Sequence, residues 1–294
     1  MNISGINNSS SYNHGGLNIK WKQENATEKN QFNVSGTNGD KKLTDISKEK
    51  NAELIQKLSA LNDDEKKEVA VSSYMEMQSI LTRNMIGCQK NIERFGALTD
   101  EIAYYDDLLE KCGDGNQIKI DDNKYGLHTT GNTGIVDRSE IEKRRERANI
   151  AIDNLVDPQK SFGSDTAQRD FFNRTDEKIF SGAAARFETV TGMTADCLNM
   201  DGDSSLTANK GGLTREDYVQ KQTEAMKALS ERSESLSDLF EEYKKTKHGA
   251  GAEDVINITE KQKLKTLETI RKQFLLNGTI TDPERTMSRL LAIG

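Results

Sequence analysis

Met77-Gln-Ser-Ile-Leu81-Thr-Arg-Asn-Met85-Ile-Gly-Cys88-Gln-Lys-Asn-Ile92-Glu-Arg-Phe95 brings back an apolar side chain at steps of 4, 4, 3, 4 and 3. That spacing places one stripe along a helix and demands a second helix to cover it. Upstream, Asn62 is a natural cap, and Asp63, Asp64 and Glu65 suit the positive end of the helix dipole. Downstream, Gly96 follows Phe95, Thr99 offers a second cap, and Ile102, Tyr105 and Leu109 resume the stripe after a phase slip. The expectation is a bent long helix, or two helices meeting near Gly96. A second stripe runs through Gln222, Met226, Leu229, Ser233, Leu236, Phe240 and Tyr243 at steps of 4, 3, 4, 3, 4 and 3. It belongs to a helix capped by Thr214 and reaching about Lys247. Periodicity leaves two uses open for this seam: packing within the chain, or binding a protein partner.

The composition agrees with helices. Among 294 residues, hydrophobic types make up 34% and charged types 30%, with only two prolines, which allows long helices over a thin core. The expected class is mainly α, with elongated or bundled helices. A net charge of −7 and a pI near 5.3 argue against a nucleic-acid binder, which needs a basic face to displace phosphate counterions. The basic cluster Lys143-Arg-Arg-Glu-Arg147 reads as a solvated helix face. There is no apolar run of the ~18–20 residues that a membrane helix needs. The N-terminus has no apolar core of a signal peptide, so the chain is expected to be cytoplasmic, or exported without a cleaved signal. Cys88, Cys112 and Cys197 have no CxxC or zinc spacing and read as reduced, with Cys112 and Cys197 able to pair if their loops met. His14, His128 and His248 lie far apart.

Residues 1–43 read as a disordered tail. Nine asparagines fall within the first 38 residues, mixed with Ser and Gly, and no helical period is present. One patch, Leu17-Asn-Ile-Lys-Trp21, alternates as a short strand or docking peptide does. The tail's composition resembles that of substrates of flagellar or type III export. Residues 44–294 then form a helical domain, divisible into a helical hairpin over 44–112 and a second region over 113–294. The first helix is expected over about 46–61. Gln117-Ile-Lys-Ile120 and Lys124-Tyr-Gly-Leu127 flank Asp121-Asp-Asn123 and read as a small β-hairpin. Ser139 and Glu142 make a capping box for a helix to about Leu155. Ser164 caps a short helix, and Thr175 caps another with Ile179, Phe180, Ala184, Phe187 and Val190 inward. Val255-Ile-Asn-Ile258 reads as a short strand, Thr259 as the next cap, Asn277-Gly278 as a stop, and Asp282-Pro283 as the last helix start.

The chemistry concentrates in Asn199-Met-Asp-Gly-Asp-Ser-Ser-Leu-Thr-Ala-Asn-Lys-Gly-Gly-Leu-Thr-Arg-Glu-Asp-Tyr218. Calcium takes six to eight hard oxygens. Asn199, Asp201, Asp203 and Ser205 alternate as such ligands do, and Glu216 and Asp217 end the stretch on the first turn of a helix. The run resembles the first half of an EF-hand loop, in which three alternating oxygens precede a turn and an apolar residue, here Leu206. The ending Gly212-Leu-Thr-Arg-Glu-Asp-Tyr218 resembles the second half, displaced by an insertion. Lys210 stands where an EF-hand has its bidentate Glu, and Ser204 where it has glycine. A degenerate echo runs from Cys112-Gly-Asp114-Gly-Asn116 to Gly134-Ile-Val-Asp-Arg-Ser-Glu140. Paired EF-hands share a short two-stranded contact, so Ile118 or Ile135 would pair with Leu206 or Leu213. The fragment Asn277-Gly-Thr-Ile-Thr-Asp-Pro-Glu284 repeats the ending with no acids before it, so the ending alone is only a turn and a cap.

No GxSxG, P-loop, HExxH or dinucleotide fingerprint is present, so no enzyme is expected. The leading expectation is a non-enzymatic helical protein with an EF-hand-like calcium loop, acting as a structural clip or weak sensor. The alternative is an exported or partner-binding helical protein with no metal site.

Overall fold

The computed structural model describes residues 52–131, 133–157, 166–199 and 213–293. The predicted tail over 1–43, and the cap at Ser164, lie outside them. The described chain begins with a helical stretch over 52–59 (α1), which turns at Leu61 into α2, Asp63–Cys112. Then come β1 (Gln117–Lys119), β2 (Ile135–Asp137), α3 (Arg138–Val156) and α4 (Thr166–Thr191). A single 3₁₀ turn, Asp196–Leu198, precedes α5 (Arg215–Lys245), α6 (Ile258–Asn277) and α7 (Pro283–Ile293). The fold is mainly α with one small antiparallel strand pair, as expected. No helix of the described residues is long and apolar enough to cross a membrane.

The 50-residue α2 is the spine, about 75 Å long. Asn62 starts it with a full capping box: its side chain accepts from Glu65 N at 3.0 Å, and its own N–H donates to the Glu65 carboxylate at 2.9 Å. The helix passes Gly96 and Thr99 without a break. Thr99 returns its hydroxyl to Phe95 O at 2.9 Å rather than capping a new helix. Packing holds α2 together through the phase slip. Phe95 stacks on Tyr218, and Tyr105 and Leu108 enter a second apolar cluster beyond it.

The two expected seams meet each other. Tyr74 stacks on Phe240 at 4.1 Å, Gln78 bonds Ser233, Asn91 reaches Gln222, and Phe95 covers Tyr218. Every pair sums to nearly the same number, so α5 runs antiparallel to α2 in one register. All seven seam residues from Gln222 to Tyr243 are buried inside the chain. The seam proposed as a partner surface is therefore occupied by α2. Helix α4 is also antiparallel to α2, through Arg83–Asp176 at 3.1 Å and the Arg186–Glu76 pair. Helix α6 runs parallel to α2, with Glu260 near Glu68 and Ile280 on Gln89. These helices enclose the larger core around the N-terminal part of α2. A smaller core, built from Tyr105, Leu108, Ile120, Leu127, Val136, Ile141 and Ala148, joins the far end of α2 to the strands and α3. The spine thus runs through both cores, and residues 113–156 pack on its end.

Several local expectations are corrected. β1 pairs with β2, Ile118 opposite Val136, and not with 124–127. The Asn123 side chain explains this: it donates to Leu127 O at 2.7 Å and accepts from Leu127 N at 2.6 Å, taking the bonds a strand there would need. Ile118 and Ile135 consequently pair within their own loop. Asp137, not Ser139, precedes α3, and its carboxylate accepts from Gln117 Nε2 at 2.7 Å. Thr175 lies inside α4, which is one helix. Residues 255–257 form no strand: Asn257 caps α6 with Glu260 completing the box, and Thr259 is already helical. Phe180, Ala184, Phe187 and Val190 are buried as expected. None of the three cysteines forms a disulfide; Cys88 and Cys197 are buried, and Cys112 is half-buried.

Candidate metal centre

The acidic stretch connects α4 to α5, and those two helices are parallel. Phe187 meets Tyr243 edge-on at 5.9 Å, and the Arg232 guanidinium lies 5.9 Å from the Phe180 ring centroid. The C-terminal end of α4 is therefore level with the C-terminal end of α5. The start of α5 at Arg215 is 28 residues before Tyr243, about 42 Å away along the axis. The end of α4 and the start of α5 therefore lie most of a helix length apart.

Asn199 sits beside the middle of α5, at Arg232. It closes the 3₁₀ turn, with its N–H on Asp196 O at 3.1 Å, and its own carbonyl accepts from Arg232 Nη1 at 2.8 Å. In the sequence Arg232 carries no signal of its own and is one more cation beside the Ser233 seam position. Its half-buried guanidinium is held below the ordinary arginine range by burial, with the Cys197 thiol acting in the opposite direction. Burial also raises the Cys197 thiol, and Arg232 opposes that rise.

Glu216 and Asp217 stand on the first turn of α5. Thr214 caps α5: its hydroxyl accepts from Asp217 N at 3.3 Å and donates to Asp217 Oδ2 at 3.0 Å. Both carboxylates are exposed. Arg215 ties the start of α5 to α3: its guanidinium bonds Asp153 at 2.7 Å and the side chain and carbonyl of Asn149 at 3.1 and 3.2 Å. No sequence signal points to that clamp, because its partners lie more than 60 residues away.

Of the six candidate ligands, three are therefore described. Glu216 and Asp217 are neighbours. Asn199 is anchored to Arg232, 16 residues or about 24 Å further along α5, and is not brought beside them. Asp201, Asp203 and Ser205 lie outside the described residues.

The echo loop is closed by protein groups. Arg138 N donates to Asn116 O at 2.9 Å, and its guanidinium reaches Gly113 O. Glu140, the acid matching the end of the motif, accepts from Arg144 Nε at 2.9 Å, and that bond holds its carboxyl below the usual range. In the third fragment, Gly278 ends α6 in the left-handed conformation, and Asp282 accepts from Arg285 N at 3.1 Å. That is the turn and cap expected of an ending without acids. Among the described residues, no three His, Cys, Asp or Glu side chains converge as a metal-holding group. Comparison with protein-family models, curated proteins and solved structures yields no match to this chain.

Proposed function

We propose that this chain is a non-enzymatic helical protein whose acidic segment before α5 binds calcium as a structural clip. In this reading Asp203, with Ser205 in support, meets the first-turn acids Glu216 and Asp217, while Asp201, within about 7 Å of chain from the Asn199 anchor, stays outside that shell. The ion joins that segment to the start of α5, instead of sitting between two helix ends as in an EF-hand. Asn199 then serves as the anchor of the segment through its carbonyl.

The observation that carries the reading is the pair of exposed carboxylates, Glu216 and Asp217, on the first turn of α5, a turn fixed by the Thr214 cap and by Arg215 on α3. The positive N-terminus of α5 weakens their affinity for a cation, so loop carboxylates must supply the remaining charge. Millimolar to submillimolar affinity is expected of so few acids.

Thermal melting tests the proposal. At a calcium concentration tenfold above Kd, a single site adds about 1.4 kcal/mol, or roughly 3–5 °C in a chain of this size. The wild type should gain that shift with calcium and much less with magnesium. The double variant Asp201→Ala/Asp203→Ala should gain none. An unchanged wild-type melting point would leave the other class of protein, a helical bundle with an incidental polar crossover.

A further inference from the structure

The segment 258–293 is attached differently from the other helices. The chain leading into it is fixed: Ala252 and Ile256 are buried, and a Cβ on Gly249 would lie 1.9 Å from the Tyr243 carbonyl oxygen. From Asn257 onward, one row of side chains holds α6 down: Leu264, Leu267, Ile270 and Phe274. Beyond the Gly278 turn, the Gln89 side chain exchanges two bonds with the backbone of Ile280, donating to its oxygen at 3.0 Å and accepting from its nitrogen at 2.8 Å. An exposed Lys90–Glu284 pair and the half-buried Met287, packed against the larger core, complete the attachment. Other features oppose docking. The Arg271 Nε is buried and has no hydrogen-bond partner among the described residues. Glu260 approaches Glu68, which already has Glu65 and Asp64 nearby. Asp282 holds a φ of 51°, outside the comfortable range of a residue with a Cβ. The outer face leaves Ile258 and Leu276 in solvent.

We propose that residues 258–293 act as a strap that undocks as one unit, pivoting at Asn257, and bares the face of α2 from Glu68 past Tyr74 to Gln89. The rest of the bundle stays folded, because α2, α4 and α5 hold one another through the Tyr74–Phe240 stack, the Gln78–Ser233 bonds and the Arg83–Asp176 pair. Such sub-global units open below the global unfolding free energy.

Native-state hydrogen exchange of the full chain tests this. Amides over 264–280 should exchange at a common rate, about tenfold or more faster than those over 226–243. Gln89→Ala removes both Ile280 bonds and should accelerate the strap about tenfold or more while leaving 226–243 unchanged. Glu68→Gln removes the repulsion and should slow the strap. Equal protection of the two segments, or equal acceleration of both by Gln89→Ala, would overturn the proposal.

Discussion

Gly249 shows how little room the connection between α5 and α6 has. Its missing Cβ would sit inside the van der Waals envelope of the Tyr243 backbone, so Gly249→Ala must move one chain or the other. We expect a loss of about 2 kcal/mol or more, read as a lower denaturation midpoint with an unchanged slope. Glu68 has the opposite character. Its carboxyl is raised above the usual range, first by burial and then by Glu260, Glu65 and Asp64. A raised folded value means that the ionised form is disfavoured in the fold. The stability linked to Glu68 is present at acidic pH and is lost as pH rises through the folded value. Glu68→Gln should therefore raise the melting point at pH 7, and the gain should shrink towards pH 4, where the wild-type carboxyl is itself protonated.

At the scale of elements, caps and seams were the legible part. Asn62, Thr214, Gly278 and Asp282 were all read correctly from side-chain chemistry and spacing. Thr214→Ala should cost about 1 kcal/mol in chemical denaturation, with Ser restoring most of it. What misled the reading were local signals overridden by distant packing. Gly96 and Thr99 left one long helix or two helices open, and Tyr218 from α5 covers Phe95 where α2 continues unbroken. Lys124-Tyr-Gly-Leu127 resembles a strand, yet Asn123 occupies the backbone of Leu127 and Tyr125 joins the ring cluster of Tyr104 and Tyr105. The Ser139 and Thr175 caps failed because each helix starts earlier: Ser139 is one residue past the start of α3 at Arg138, and Thr175 is nine residues past the start of α4 at Thr166.

For the whole molecule, the antiparallel spine and the parallel α4–α5 pair decide what the acidic stretch can be. Periodicity showed that each helix had a covered face but not which helix covered it, so the direction of α4 relative to α5 could not be read in advance. That direction sets Asn199 on Arg232, which lies 16 residues or about 24 Å along α5 from Glu216, where a compact EF-hand loop would bring the two together. Arg232 becomes the anchor of Asn199. Arg232→Ala should release Asn199, make the segment more sensitive to proteolysis and weaken any calcium-induced shift, while Arg232→Lys restores only part because it lacks the planar fork.

The central claim is that segment acids and helix acids share one ion. Calorimetric titration of the full chain with calcium tests it most directly. One ion per chain should bind to the wild type and to Glu140→Gln. Both Asp201→Asn/Asp203→Asn and Glu216→Gln/Asp217→Asn should abolish that same binding. Calcium heat that survives intact in either double variant, or no binding to the wild type at millimolar calcium, would contradict it.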